Sequence, residues 1–529
     1  MLGALFGYMV CYLVDYFTWL LVVLVVLGYW LYDYVHMFRL KLGLEIHAQL
    51  NAGRKLFSPS IPSPHALPNT RVSFFDAALP GTQPILDWNC VHLGMRAALA
   101  LNARVQPRFA FDRKHYFYPD QPSGYQITQK HFPLARNGVL PLLKRDGVQN
   151  ALDVRIEQIQ LEQDTGRTSY LDDLTLVDLN RANTGLIELV TKPDMRSAAE
   201  AVAFVKKLRL ILKGAGVCTG EMEQGALRVD VNVSVMDDAG RDLSSRCEIK
   251  NLFGFAAIKH SIMAEFQRQC DLLARNEVVE RDTRGWDGKN TYKLRSKEEA
   301  ADYRYFPDPD LPDYVVPNRV IESVRNQMMP MPDTLLDKLT SKPFSLSNAD
   351  AYTLVELDSG LHSRKPTEES SSSDSSLTAF CVTAVQEFLQ RGGSEKNAKL
   401  IGKWLVNIWL GIRESAPQNT NQFVDLFLAV DSNEITTTTA KMLLKLLANG
   451  YQGSIADAVK EYDLDTSAHS VSELSAVCKQ VLDENPSIVA RIKSGKRNAI
   501  MVLVGLVLKE TQGTFDPKLV REEIDRTIQ

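Results

Sequence analysis

The stretch LRVDVNVSV, Leu227 to Val235, decides how the first half of this chain folds. Leu227, Val229, Val231, Val233 and Val235 recur at every second position, so a strand buries them on one face and turns Arg228, Asp230, Asn232 and Ser234 to the other. Two more segments alternate in the same way. In LGLEIHAQL, Leu44, Ile46, Ala48 and Leu50 oppose Glu45, His47 and Gln49, and in SRCEIKNL, Cys247 and Ile249 alternate with Arg246, Glu248 and Lys250. A turn containing Asp237, Asp238 and Gly240 joins the last segment to LRVDVNVSV, which predicts a hairpin whose polar faces coincide.

A polar strand face is ordinarily just solvated, but this combination asks for more. If Asp230 and Glu248 face each other on neighbouring strands, about 5 Å apart, their repulsion is roughly 3 kcal/mol at an effective dielectric near 20. Such a pair persists when a cation or a shared proton compensates it. Carboxylates with one histidine and no thiolate suit a hard ion such as Mg²⁺, which keeps several waters and often holds phosphates. IQLEQDTGR supplies Glu162 and Asp164, and DLNRANTGLIELV supplies Asp178 and Glu188, but spacing alone does not bring these to the same place. There is no GxxxxGK[ST] and no HExxH, and KGAGVCTG misses the GxGxxG spacing by one residue. The residues by themselves therefore indicate a metal-binding sheet face with basic neighbours and name no reaction.

The surrounding chain has 529 residues, 45% hydrophobic and 23% charged, which is globular material for about three or four domains. A net charge of -4 excludes a wholly basic surface, so contact with nucleic acid must come from local patches. The seven cysteines are scattered without a CxxC pair, as in a reducing compartment, and form no zinc knuckle. Residues 1–38 differ from the rest. Their uncharged run from Tyr16 to Tyr32 reaches the lower limit for a membrane span, yet lacks the arginines of a mitochondrial presequence; an anchor and a mis-assigned start are the two readings.

Between 40 and 330 strand and helix patterns alternate. The clearest helix begins at Ser197, where Ser197 and Glu200 form a capping-box pattern and Val202, Val205, Leu208 and Leu212 make an apolar stripe. Its Lys206, Lys207, Arg209 and Lys213 read as a solvated face. Beyond 330 the segments are helical, split by the serine-rich HSRKPTEESSSSDSSL, a linker or exposed insertion. Near the end, Arg491, Lys493, Lys496 and Arg497 offer four positive charges to a phosphate backbone. FDRKHYFYPDQPSGYQ, Phe111 to Gln126, is an aromatic and basic loop whose rings, Phe111 and Phe117 above all, read as local packing.

Several motifs together resemble the B subunit of the glutamyl-tRNA(Gln) amidotransferases. They are, in order, GLEIHAQL, FDRKHYFYPDQPSGYQITQ, IQLEQDTGR, LVDLNRANTGLIELV with KPDMRS, EQGALRVDVNVSV, RCEIKNL, SKEEAADYRYFPDPDLP and the terminal VGLVLKETQGTFDPKLV. The likeness runs from about residue 40 to 529. It implies an α+β fold: a cradle-like antiparallel-sheet catalytic core at 39–330, a helical domain at 331–460 with the insertion at 362–377, and a helical tRNA-contacting tail at 461–529. The activity implied is ATP- and Mg²⁺-dependent phosphorylation of the glutamate side chain on mischarged Glu-tRNA(Gln), followed by amidation to Gln-tRNA(Gln). The ammonia comes from glutamine through a separate amidase A subunit, and a small C subunit completes a heterotrimer.

By the same resemblance Glu45, His47, Glu162, Glu188, Asp230 and Glu248 are the metal candidates, and Lys114 acts with Glu45, His47, Asp230 and Glu248 in catalysis. Arg113, Tyr118, Arg228 and Lys250 bind nucleotide or acceptor-end charge, and Arg491, Lys493, Lys496 and Arg497 contact tRNA. Many family members have two consecutive acids where this chain has Glu162 and Gln163, which predicts one carboxylate ligand fewer and weaker cation binding. KLFSPSIPSPHALPN has no cysteine where some bacterial members bind zinc, so no zinc is expected. The leader, the insertion and the LEQDTGR wording look more like a mitochondrial matrix member than a bacterial one. Three rivals remain. The archaeal-type E subunit is disfavoured because no inserted domain interrupts 40–330; a non-catalytic tRNA scaffold rests on Gln163; a membrane protein of other function rests on residues 1–38.

Overall fold

The computed structural model describes residues 38–63, 66–296, 303–362, 376–462, 471–493, 499–511, 515 and 517–528. The hydrophobic leader, most of the serine-rich insertion, Lys496 and Arg497 lie outside these residues. Among the described residues no helix is long and apolar enough to cross a membrane. The chain divides into two compact units, with the boundary between Met329 and Pro330.

The first unit is built on a nine-stranded sheet. Its strands in chain order are β1 (Arg39–Gln49), β2 (Arg104–Val105), β6 (Ala135–Leu142), β7 (Leu152–Gln163), β10 (Gly185–Thr191), β11 (Leu227–Met236), β12 (Cys247–Leu252), β13 (Asp282–Trp286) and β14 (Thr291–Ser296). In space they run β14-β13-β12-β11-β1-β10-β7-β6-β2, which puts β1 in the middle. All neighbours are antiparallel except β12 and β13, which are parallel. Short strands β3 (Arg108–Phe109) and β16 (Tyr314–Val315) pair with each other, and β4 (Asp112–His115) is flanked by β5 (Tyr125–Thr128) and β15 (Phe306–Pro307). A separate ribbon joins β8 (Arg167–Leu171) to β9 (Leu174–Asp178).

The alternation in LRVDVNVSV is realised as expected: Val229, Val231, Val233 and Val235 are buried while Arg228, Asp230 and Asn232 keep partial access to solvent. Leu44, Ile46 and Ala48 of β1 are buried beside them. Each such side chain contributes about 1.5–3 kcal/mol when fully buried, so the apolar face must be covered. Three helices do this: α1 (Trp88–Ala100), α2 (Ala198–Gly214) and α3 (Phe255–Ala274), of which α3 packs on β11 and α1 on β7. The contact under α1 is close. A Cβ on Gly94 would lie 2.6 Å from a methyl of Leu134 and 3.1 Å from one of Leu161, so a larger residue there would displace the buried Leu134 side chain.

Helix α2 starts at Ser197, whose hydroxyl accepts from the Glu200 amide at 3.2 Å; the Glu200 carboxylate reaches back to the Arg196 amide, one residue before the cap. Of its four basic residues only Lys206 is exposed as a solvated face requires. Lys207 is buried in an ion pair with Asp146 at 2.9 Å, Lys213 is buried, and Arg209 donates to the Gly220 carbonyl, because α2 is enclosed on more sides than its apolar stripe implied. Phe111 is buried as expected, edge-on to Phe57 and Phe109, but Phe117 is 88% exposed and packs no core.

The second unit is helical, from α5 (Pro332–Thr340), which follows α4 (Asn318–Asn326) of the first unit, through α6 (Asn348–His362), α7 (Leu377–Gln390), α8 (Glu395–Trp404), α9 (Thr420–Asp431), α10 (Thr437–Ala448) and α11 (Ile455–Glu461). Buried Asp358 of α6 caps α7 across the insertion, accepting from Ser376 Oγ at 2.6 Å and from the amides of Leu377 and Thr378 at 2.8 and 2.9 Å. The chain ends in α12 (Val471–Glu484), α13 (Pro486–Lys493), α14 (Ile500–Glu510) and α15 (Pro517–Ile528). Cys478, Val481, Leu503, Val507, Val520 and Ile524 form their common core. Arg491 and Lys493 occupy the exposed last turn of α13. The protein is thus α+β, with a mixed, mainly antiparallel sheet unit and a C-terminal helical unit.

Candidate active site

Strand β1 presents Glu45 and His47 on the sheet face opposite the helices, because the pleat that buries Leu44, Ile46 and Ala48 turns the intervening residues outward. Cross-strand register then selects their neighbours. His47 lies opposite Glu188 of β10 and Arg228 of β11, and Glu45 lies opposite Asp230 of β11. Glu162, one strand further on β7, reaches His47: its Oε1 is 3.1 Å from His47 Nε2, and Thr128 Oγ1 donates to its Oε2 at 3.0 Å. Glu188 Oε2 lies 3.9 Å from the same imidazole nitrogen and accepts from Gln160 Nε2.

Crowded carboxylates in a half-dry place cannot all ionise alike. Burial pushes Glu188 well above the usual carboxylate range, and the charges of Glu162 and Glu45 push it further, so of these carboxylates it holds a proton most readily. Burial would raise Glu162 as well, but its bond to His47 overrides that and holds it low. Burial would lower His47, and the Glu162 carboxylate outweighs burial and raises it. Among the described residues one group of histidine, cysteine, aspartate and glutamate side chains has ligand atoms within 4.8 Å of one another: Glu45, His47 and Glu188.

The hairpin expected of β11 and β12 is present, but Asp230 and Glu248 do not face each other. Glu248 pairs with Asn232 and Ile249 with Val231, and this register carries Lys250, next along the strand, to Asp230. The Lys250 ammonium sits 2.8 Å from Asp230 and 3.2 Å from Glu248, and supplies the compensating charge that the sequence argument assigned to a metal. Asp230 and Glu248 therefore stand beside the Glu45–His47–Glu188 group, tied to a lysine.

The expected pairing of Arg113 and Lys114 also divides. Both lie on β4, and alternation sends them to opposite faces. Lys114 enters the site, 4.9 Å from the Tyr303 ring centre; burial would lower its pKa, but Glu162 chiefly keeps it raised. Arg113 points away, bonding Asp308 and Asp310 at 2.9 Å each and stacking on Tyr125, so it is a structural clamp and not a phosphate ligand. Tyr118 is 58% exposed, packs against Tyr116 and does not line the cavity. Gln163 is on the helix side of β7: it is paired with Gly185, which lies under Cys90 of α1. An amide there removes no ligand from the cluster, which corrects the expectation of weaker cation binding.

These side chains line a cavity of about 530 Å³, the size of a nucleotide-scale ligand site. Its wall also contains Gln126, Asp164, Thr165, Arg167, Arg181, Glu223, Gln224, Asn251 and Phe253, most of which sequence reasoning passed over. Asp164 is held by Arg228 at 3.0 Å and Arg181 at 3.6 Å. The signal for Arg181 and Arg167 lay in the turns around the acidic motifs, since a carboxylate buried like Asp164 needs a basic partner. Five basic side chains (Lys114, Arg167, Arg181, Arg228, Lys250) meet six acidic ones (Glu45, Glu162, Asp164, Glu188, Glu223, Asp230) around this space. A polyphosphate entering it meets both signs, and the acidic half tolerates it only with a cation between.

Comparison with known proteins agrees with this geometry. Residues 40–322 match a family model described as the GatB/GatE catalytic domain, and residues 387–528 match one described as the GatB domain. A Candida dubliniensis protein, named as the mitochondrial B subunit of glutamyl-tRNA(Gln) amidotransferase, is 39% identical over 93% of this chain and 92% of its own. Proteins of the same name from Yarrowia lipolytica and Candida tropicalis are each 39% identical, over 92% and 93% of this chain and 93% and 97% of theirs. Site, sheet and similarity converge, and the chain belongs to the family of glutamyl-tRNA(Gln) amidotransferase B subunits.

Proposed function

We propose that this chain activates the glutamate side chain of mischarged Glu-tRNA(Gln) with ATP and Mg²⁺ and amidates it to Gln-tRNA(Gln), within a complex whose amidase subunit makes ammonia from glutamine and whose small third subunit braces the pair, in the mitochondrial matrix. The observation that carries this is the cluster of Glu45, His47 and Glu188 on the same sheet face as Lys114, Arg228 and Lys250. Two carboxylates and an imidazole, with no thiolate, are a donor set for a hard divalent cation, and Glu45, His47 and Glu188 would hold it. Such an ion offsets charge on transferring phosphoryl oxygens.

The chain's own residues divide the remaining work. Lys114, Arg228 and Lys250 place fixed positive charge where phosphate oxygens enter. The substrate carboxylate oxygen then bonds to the γ-phosphorus as the bond to the bridging oxygen breaks and ADP leaves. Ammonia adds to the acyl carbon, phosphate departs with one of its protons, and the amide remains. Gln163, the feature that favoured a non-catalytic scaffold, faces the helices, so that reading loses its support.

The chain reconstituted with the amidase and small subunits, Glu-tRNA(Gln), ATP, Mg²⁺ and glutamine should form Gln-tRNA(Gln). Glutamine hydrolysis without any Gln-tRNA(Gln) overturns the proposal. Mg²⁺ binding should weaken as pH falls, because Glu188 and His47 bind protons more readily than free side chains do and must release them to bind a metal. Calorimetric Mg²⁺ titrations in buffers of different protonation enthalpy should show proton release; identical heats in all of them would remove these two residues from the ligand set.

A further inference from the structure

The cavity is lined by many charged and polar side chains; of its apolar residues Leu186, Val229 and Leu252 are buried, and one at the rim is exposed. After Lys250 the chain passes Asn251 at φ +60° and Gly254 at φ +103°, both in the left-handed region, before α3 begins. Between them Leu252 turns into the core and Phe253 turns out, 67% exposed yet lining the cavity. Among the described residues of that wall, Phe253 alone carries a benzene ring. Leaving such a ring in water forgoes most of its burial free energy, and asparagine at positive φ is tolerated at some cost. Nothing in the local packing explains the position, since the neighbouring apolar residue already fills the core. Chemistry next to it does: Lys250 lies three residues back on the same wall, with Arg228 beside it on β11. A flat apolar face adjoining fixed positive charge recognises a nucleotide, base on ring and phosphate on cation.

We propose that Phe253 is the stacking platform for an adenine base at the rim of this cavity. The inference rests on the function proposed above, in which two substrates carry adenine: ATP, and the 3′-terminal adenosine of the tRNA. Stacking on an aromatic side chain changes affinity by about 5- to 150-fold per base. In the reconstituted complex, Phe253→Ala should raise KM for one substrate by that factor while leaving the melting temperature unchanged, because the ring is mostly outside the core. Phe253→Tyr, which keeps the ring, should restore it. A rise confined to ATP assigns the platform to the nucleotide, and one confined to Glu-tRNA(Gln) assigns it to the acceptor end. Unchanged KM for both overturns the inference, with the functional proposal intact. Should the wild-type complex form no Gln-tRNA(Gln), that proposal fails separately. The Phe253→Trp chain, titrated with ATP and with a CCA-ended oligonucleotide, then decides: fluorescence quenching by either supports stacking, and quenching by neither overturns it.

Discussion

Glu188→Gln should lower Gln-tRNA(Gln) formation by about 10²- to 10³-fold while leaving the thermal unfolding of the protein unchanged. The two halves of this expectation have one cause. Burial among other carboxylates raises the pKa of Glu188 and favours its neutral form, and a glutamine copies the shape and hydrogen bonding of that form, including the contact with Gln160. Folding therefore loses little. Under the proposed function the loaded enzyme needs the ionised form as a ligand, and an ion at a developing phosphoryl charge contributes several kcal/mol, hence the size of the rate loss. The assembled complex should still hydrolyse glutamine at the wild-type rate, since the proposed function gives that chemistry to another subunit. Activity of the variant within about threefold of wild type, well under one tenfold step of about 1.4 kcal/mol, would remove Glu188 from the reaction centre.

Lys55→Met should destabilise the sheet unit by about 3–5 kcal/mol without touching the cavity. Lys55 and Asp76 are both fully buried; the ammonium donates to Asp76 at 2.9 Å and to the Arg71 carbonyl at 2.8 Å, and Asp76 also accepts from Asn183 at 2.9 Å. Removing one partner strands the other charge in the interior. Burial alone would raise the pKa of Asp76, but Lys55 outweighs it and holds it low, so ionised Asp76 stabilises the fold above the unfolded aspartate value, about 3.9, and loses that contribution as pH falls through the lower folded value, while at Lys55 burial outweighs Asp76 and lowers the pKa, which offsets part of the gain. In the variant Asp76 has no counter-charge, and the deficit should shrink toward acid pH as it takes up a proton. Denaturant unfolding at neutral and mildly acidic pH checks both statements. The double variant Lys55→Met, Asp76→Asn should recover part of the loss; equal stability of single variant and wild type would refute the argument.

How much of this was legible depends on what each residue answers to. Val229, Glu45 and His47 answer to the two-residue period of a strand, and their faces can be counted along the sequence. The same counting, carried through IQLEQ, places Glu162 with Gln160 and Gln163 with Leu161, and would have shown that Gln163 is no ligand. Arg113 was grouped with Lys114 because an aromatic, proline-bearing stretch reads as a loop, whereas a four-residue strand inside it separates them and sends only Lys114 to the cavity. The pairing of Glu248 with Asn232 had no sequence signal, because alternation fixes which face a residue takes and leaves open which residue it meets across the hairpin. Lys55 and Asp76 sit in a serine- and proline-rich stretch without period, and only the folded chain brings them together.

The position of β1 at the centre of the nine-stranded sheet has one more consequence. Glu45 and His47 are anchored by ladder hydrogen bonds on both sides, to β10 and to β11, with no loop between them and the core. Their amides can exchange with solvent only in the rarest openings, those that take the whole sheet apart. The candidate site thus shares its lifetime with the fold: under heat or denaturant it should not loosen gradually ahead of unfolding, as a site built on a lid does, but persist with full geometry in every molecule whose sheet is still closed.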